Sequence, residues 1–368
     1  MKVPFVDLTA LHAPIRAEID AAIAAVINRN AYILKEEHKR FEEALAASLG
    51  VAKAAGVANA TCALQLSLQA LGIGGGAEVI TAVNTAIPTS EAITASGAAV
   101  VFVDIGAGTF TLDPDKVRKA ISRRTRAIIP VHLYGFPAPM DEIMAIANEY
   151  GLSVVEDVAQ AQGATYRRKK VGTIGKIGCF SFFPSKNLGA MGDGGAVAGN
   201  DVELVTRVAM LANHGRKEKF THEFEGGNYR LDNLQAAILL VKLRYLDEWN
   251  QRRRAAASHY DERLACIKQI KPPVAPVDCE SVYHLYVIRS AERDALADFL
   301  KKRGIETGLH YPLPLHFQPA YARLGLGAGT FPEAESAARE VLSLPMYADI
   351  TPEQIDYVCD CIGEYYAR

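Results

Sequence analysis

The chain has 368 residues, 49% of them hydrophobic, and 40 Lys and Arg against 42 Asp and Glu give a formal net charge of −2. That length and apolar content suffice for a large core shared between two domains. A nearly neutral chain lacks the basic footprint of a nucleic-acid binder. The one dense basic run, Arg252 to Arg254, follows a helical pattern and reads as a solvated helix face. The N-terminal MKVPFVDLTALH lacks a signal-peptide apolar stretch, and no window approaches the roughly 20 apolar residues of a membrane span. The six cysteines are scattered, with no CxxC pair and no histidines gathered around them. Cys359 and Cys361 would need metal partners that the sequence does not offer. Free thiols in a reducing compartment, no metal site and a soluble cytoplasmic protein are the expectation.

From about residue 50 to residue 200, short apolar runs alternate with amphipathic stretches. NATCALQLSLQAL (Asn59 to Leu71) carries Leu64, Leu68 and Leu71 on one helical face and follows a strand end. VITAV (Val79 to Val83), AAVVFVD (Ala98 to Asp104), RAIIPVHLYG (Arg126 to Gly135) and LSVVEDVA (Leu152 to Ala159) each read as a strand buried on both faces. A helical pattern, Met140–Ile143–Ile146–Ala147, lies between the last two. CFSFFPSKNLGAMGDGGAVAG (Cys179 to Gly199) then reads strand, tight turn, glycine-rich loop, strand. The fold class is α/β, with a mainly parallel sheet between helices. From Asp232 and Asn233 the period becomes helical through Leu234, Ile238, Val241 and Tyr245, and this helix leads out of the first domain. The prolines of KPPVAPVDCES (Lys271 to Ser281) interrupt the pattern. A strand (Tyr283 to Arg289), a helix (Arg293 to Arg303) and a turn at Gly304 follow. The expected division is a large domain over 1–245 and a smaller α+β domain over 246–368.

In open α/β sheets, ligands bind beyond the carboxyl ends of the strands. Three such ends carry polar groups here. Asp157 ends one strand, with Gln160 one turn on; taken alone, Asp157 reads better as a cap for the next segment. Asn59 to Thr61 open a helix, whose free amides and dipole favour a phosphate, although capped helix starts without ligands are common. Ser181 lies on the FSFF strand and Lys186 in the turn after it. A solvated loop lysine is the plain alternative for Lys186. Together, a hydroxyl, a helix start, a strand-end carboxylate and a lysine match what pyridoxal 5'-phosphate requires: an amine for its aldehyde, a carboxylate for its ring nitrogen and donors for its phosphate. No GxxxxGK[ST] is present, and Gly74–Gly75–Gly76 lies in a loop after a helix.

At this point the chain resembles the DegT/DnrJ/EryC1/StrS family of nucleotide-sugar aminotransferases, fold-type I pyridoxal phosphate enzymes. The resemblance runs nearly end to end, through PFVDL, NATCAL, VFVDI, AIIPVHLYG, EDVAQAQGA, FSFFPSKNLGAMGDGGAV, GGNYRLDNLQAAIL, SVYHLYVIR, GLHYPLPLHFQPAY and VLSLPMY. It implies a seven-stranded-type sheet and Lys186 as the Schiff-base lysine and proton shuttle. It further implies Asp157 on the pyridine nitrogen, Gln160 on the ring hydroxyl and Ala159 against one ring face. Ser181, Thr61 and the amides around Ala60 and Cys62 would form the phosphate cradle. Family members are homodimers, so Asn228 would reach the neighbouring site's phosphate. Arg230, His310, Tyr311 and His316 would lie on the substrate side.

The expected reaction moves an amino group from L-glutamate, leaving 2-oxoglutarate, to a nucleotide-linked keto sugar. The HYPLPLH form of the sugar-side segment is similar to that of members acting at C3 of a 3-keto hexose, dTDP- or UDP-linked. A 4-keto-sugar aminotransferase is the rival enzyme, and a non-catalytic regulatory or binding homologue the rival of another class. The related dehydratases replace the lysine with histidine, so Lys186 argues against them. Three positions depart from the family pattern: Ala86 stands where an aromatic ring often stacks on the cofactor, Lys35 replaces a glycine, and Ala60 replaces the glycine before Thr61.

Overall fold

The computed structural model describes residues 1–368. Its centre is a seven-stranded sheet: β1 (Lys53–Val57), β2 (Glu78–Ala82), β3 (Ala99–Val103), β4 (Thr125–Ile129), β5 (Ser153–Asp157), β6 (Ile177–Ser181) and β7 (Gly195–Gly199). The spatial order is β1-β7-β6-β5-β4-β2-β3. Neighbours from β6 through to β3 pair in parallel, whereas β7 runs antiparallel to both β6 and β1. The carboxyl ends of β1 to β6 therefore share one edge of the sheet, and the start of β7 meets them there. β2, β6 and β7 are buried along their whole lengths, which is why these runs are apolar without alternation.

The expected strand Arg126–Gly135 is shorter in the structure. β4 stops at Ile129 because Pro130 has no N–H to continue the ladder, and a 3₁₀ turn with Tyr134 at φ 59° takes over at Leu133. The expected helix through Tyr245 is two helices, Asn233–Leu243 and Leu246–Leu264. Asp232 precedes the first without a side-chain cap. Asn233 instead accepts from the His38 amide at 2.8 Å and donates to Glu37 at 2.7 Å, tying this helix to Glu36–Leu49.

The second core gathers 21 buried residues, mostly from Ala256 onward, around the antiparallel pair β8 (Tyr286–Arg289) and β9 (Val341–Leu344). The helices Arg293–Lys302 and Pro352–Tyr366 cover it. β8 starts at Tyr286 rather than Tyr283, because Tyr283 takes φ 41° and turns the chain before the pairing begins. Membership crosses any single cut in sequence. Val3 joins the second core, through a parallel bridge to Ile305, and Leu315, Tyr321, Phe331 and Ala334 pack in the first. No helix is long and apolar enough to cross a membrane.

One close approach shapes the shared edge. A Cβ added to Gly195 at the start of β7 would lie 2.4 Å from the Asn59 carbonyl carbon and 2.9 Å from the Ala60 nitrogen. Only glycine lets β7 pass so near the helix that opens at Ala60. Gly195→Ala should cost about 1–3 kcal/mol of stability through overpacking and weaken retention of a phosphate ligand, measured by denaturant unfolding and equilibrium dialysis.

Candidate active site

The shared edge holds a cavity of about 430 Å³, lined among others by Ala60, Thr61, Asp157, Ala159, Gln160, Ser181 and Lys186. These seven residues, singled out in the sequence, thus converge from three separate segments. A larger groove of about 710 Å³ lies between the N-terminal helices and Asn233–Leu243, distant from every one of these groups.

The helix Ala60–Ala70 points its start into the cavity. Asn59 caps it, its Oδ1 accepting from the Cys62 amide at 2.9 Å. The Cys62 amide thus already has an acceptor in the Asn59 side chain. The first-turn amides of Ala60 and Thr61 have no intrahelical acceptor and face the cavity beside Ser181. Ala60 opens the helix and is not among the residues with positive φ, so it fits where a glycine was the familiar choice.

Asp157, the last residue of β5, is buried, yet both its oxygens are engaged. Oδ2 accepts from Thr89 Oγ1 at 2.8 Å and Oδ1 from the Ala159 amide at 3.0 Å. Burial pushes its carboxyl up, while the Ala159 amide, Thr89, Lys186 and His132 draw it down. Gln160 is clamped at both ends: Oε1 accepts from the Tyr134 amide at 2.8 Å, and Nε2 donates to the Tyr311 hydroxyl at 3.1 Å.

Lys186 follows Phe183–Pro184–Ser185, in a turn closed by its own amide donating to the Phe183 carbonyl at 2.9 Å. The residue is half-buried, and desolvation of its amine pulls its pKa down to about 8, against the upward pull of Asp157. The one side chain bonded to Nζ is His284, whose Nε2 lies 3.3 Å away. His284, in SVYHLYVIR two residues before β8, is given no role by the residue pattern. Thr89 and Thr85, which share a bond at 3.1 Å, were likewise missed in NTAIPT. Thr85 stands just beyond the end of β2, and Thr89 in the first turn of the helix Ile87–Ala95 that follows it.

The remaining sequence candidates lie outside the cavity lining. Arg230 pairs in backbone with Val57, donates from Nη1 to Asn213 Oδ1 at 3.0 Å, and leaves its buried Nε without an acceptor. Asn228 is bridged to Asn213. His310 binds Ser343 Oγ through Nδ1 at 2.9 Å and stacks on Phe5, and Tyr311 reaches the site through Gln160. His316 corrects the expectation of a substrate contact. Its ring is buried between Phe317 and Phe331 with Glu335 at 3.2 Å, so no surface remains for a ligand. Ala86 lines the cavity, where Phe183 is the only aromatic ring. Lys35 is extended, and Leu34 at φ 48° makes the turn before it.

The donor set suits pyridoxal phosphate. It joins an uncharged-prone desolvated amine to a carboxylate held by two donors, and it sets a hydroxyl beside a helix start with free amides. A fold of this kind with this site defines a transaminase that works through that cofactor. The chain belongs to the DegT/DnrJ/EryC1/StrS aminotransferase family, which it matches over residues 14–363. It is 46% identical, over all of its length and 97% of the relative's, to dTDP-3-amino-3,4,6-trideoxy-alpha-D-glucose transaminase of Streptomyces venezuelae. It is 42% identical, over 97% of its length and 98% of the relative's, to UDP-2-acetamido-2-deoxy-3-oxo-D-glucuronate aminotransferase of Pseudomonas aeruginosa. Among solved structures, that of S. venezuelae DesV in complex with a ketimine intermediate superposes with a TM-score of 0.98 at 46% identity, covering 100% of this chain and 99% of that one.

A desolvated amine whose pKa falls from 10.5 to about 8 binds fewer protons folded than unfolded between those values. Stability from this group therefore rises with pH across that window, and its penalty is fully present below it. Without cofactor, the stability of wild type relative to Lys186→Met should increase by up to about 3 kcal/mol from pH 8 to 10.5, read from paired urea unfolding curves.

Proposed function

We propose that this enzyme moves an amino group from L-glutamate to C3 of a nucleotide-linked keto hexose. The observation that carries the catalytic part is the desolvated amine of Lys186 in one cavity with the Asp157–Thr89 pair. Pyridoxal phosphate, when bound, supplies an aldehyde that condenses with amines and a ring that accepts electrons. The chain's own residues do the rest. The Ala60 and Thr61 amides and the Ser181 hydroxyl would hold the phosphate, with the helix dipole behind them. Asp157 would keep a proton on the ring nitrogen, its charge supported by Thr89 and the Ala159 amide. Gln160 would fix the ring hydroxyl with the N–H that Tyr311 leaves free. Lys186, neutral near its lowered pKa, would take a proton from the amino donor's carbon and return one to the sugar carbon.

Two features favour C3. The relatives named above act on 3-amino or 3-oxo sugars, and HYPLPLH is similar to the sugar-side segment of that group. Arg230, with its unpartnered buried Nε, and His310 and Tyr311 around the cavity are the substrate-side groups in this reading. A homodimer, with Asn228 reaching a neighbouring site, a cytoplasmic setting and a domain division near residue 246 complete the proposal.

The protein loaded with pyridoxal phosphate should transfer 15N from labelled L-glutamate to a 3-keto nucleotide hexose at least tenfold faster than to its 4-keto isomer, with product analysis by mass spectrometry and NMR. Preference for the 4-keto sugar would move the assignment to C4. Transfer to neither sugar would favour a binding homologue.

A further inference from the structure

His284 stands at the head of a buried hydrogen-bond chain that the proposed chemistry does not use. Its Nδ1 lies 3.2 Å from Asn187 Oδ1. Asn187 Nδ2 donates both to Asn250 Oδ1 at 2.8 Å and to the Val282 carbonyl at 3.0 Å. Asn250 Nδ2 donates to the Gln162 carbonyl at 2.9 Å. All three side chains are buried, and Gly163 makes room for the last: a Cβ there would meet Asn250 Nδ2 at 2.6 Å.

The two backbone carbonyls give the chain a direction. A carbonyl accepts and never donates, so Val282 and Gln162 each require an N–H facing them. Reversing the Asn187 amide would set its oxygen against the Val282 carbonyl and against Asn250 Oδ1. Reversing Asn250 would set oxygen against the Gln162 carbonyl. With both amides fixed, Asn187 presents an oxygen to His284, and Nδ1 must carry the ring proton. Nε2 is then a bare acceptor aimed at Lys186 Nζ.

We propose that His284 is a positioning residue for Lys186, locked by Asn187 and Asn250 in the Nδ1–H form so that Nε2 accepts a hydrogen bond from the free lysine amine. An imidazole in water favours the other tautomer, so the chain imposes a choice rather than following one. Protonation of Nε2 is opposed by burial and by the nearby Lys186 and Arg253, which hold the ring's pKa well below its ordinary value, and His310 is itself kept uncharged by burial. The other charged group facing the amine is Asp157, on the ring side of the cavity. His284 thus gives Lys186 a fixed resting place whenever its nitrogen is free, within reach of the reacting centre, and stabilises its ammonium form without adding charge. Three elements meet in this arrangement: the turn after β6, the helix Leu246–Leu264 and the segment before β8. The state of the lysine is thereby tied to the packing of the second core against the first.

The inference rests on the reading of Lys186 as the cofactor lysine, and its test separates the two. In the full-length protein freed of cofactor and labelled with 15N-histidine, NMR should show the His284 signal, assigned by its loss in His284→Gln, as the Nδ1–H tautomer. Asn187→Leu should release it to Nε2–H. A wild-type ring protonated at Nε2, or at both nitrogens, overturns the proposal. As a second readout, the rate of pyridoxal phosphate capture against pH reports the Lys186 pKa. Its inflection should fall by roughly half a unit to one unit in His284→Leu, and His284→Gln, which keeps an acceptor, should restore it. An unmoved inflection in the leucine variant overturns the positioning role. Capture that persists in Lys186→Ala fails the lysine assignment instead, whatever the tautomer.

Discussion

A partly desolvated amine with no carboxylate bonded to it is the constraint on which this structure turns. Lysine is rarely withdrawn from solvent without a partner, and Lys186 is half-buried with no carboxylate bonded to it. Its neighbours are a neutral imidazole and, at longer range, a carboxylate that burial also drives toward its uncharged form. Two groups each reluctant to ionise, facing one cavity, are poorly matched to structural work and well matched to chemistry. A cationic ring between them would recover the charge of Asp157, and an amine already near neutrality can attack a carbonyl.

The sheet makes that arrangement affordable. Parallel strands end together, so Asp157, Ser181, Thr85 and Thr89 arrive at one edge without any loop having to travel. β7 reverses direction there and passes close to the Asn59 cap, and the helix start, Ser181 and Lys186 line one cavity. The second core closes the far side through His284, itself held by amides that end on backbone carbonyls. Strand ends and a helix start carry Asp157, Ser181, Ala60 and Thr61, whereas Ala159, Gln160 and Lys186 sit on turns.

Much of this was legible in the residues because strands buried on both faces are written as unbroken apolar runs. The positions of Asp157, Ser181, Lys186 and the helix at Asn59 followed from that pattern. The failures have local causes. Pro130 ended a strand that hydrophobicity alone extended to Gly135, and the break at Arg244 and Tyr245 is hidden by helical spacing that continues across it. That the Cys62 amide is taken up by the Asn59 cap is a feature of the folded turn that the residue pattern does not reveal. His316 was misjudged because a histidine next to Phe317 in a family segment gives no sign of facing inward. His284 went unassigned since its meaning depends on Asn187 and Asn250, 97 and 34 positions away in sequence, and only the fold brings them together.

The central claim is that the Lys186 amine bonds covalently to pyridoxal phosphate and is released by an amino donor. The most direct measurement is the visible absorbance of the purified protein with pyridoxal phosphate, before and after L-glutamate, with Lys186→Ala beside it. The account predicts a band in the wild type that bleaches with L-glutamate and a mutant that never forms the lysine-bound species. A wild type that stays colourless, or a band indifferent to the loss of Lys186, would contradict it.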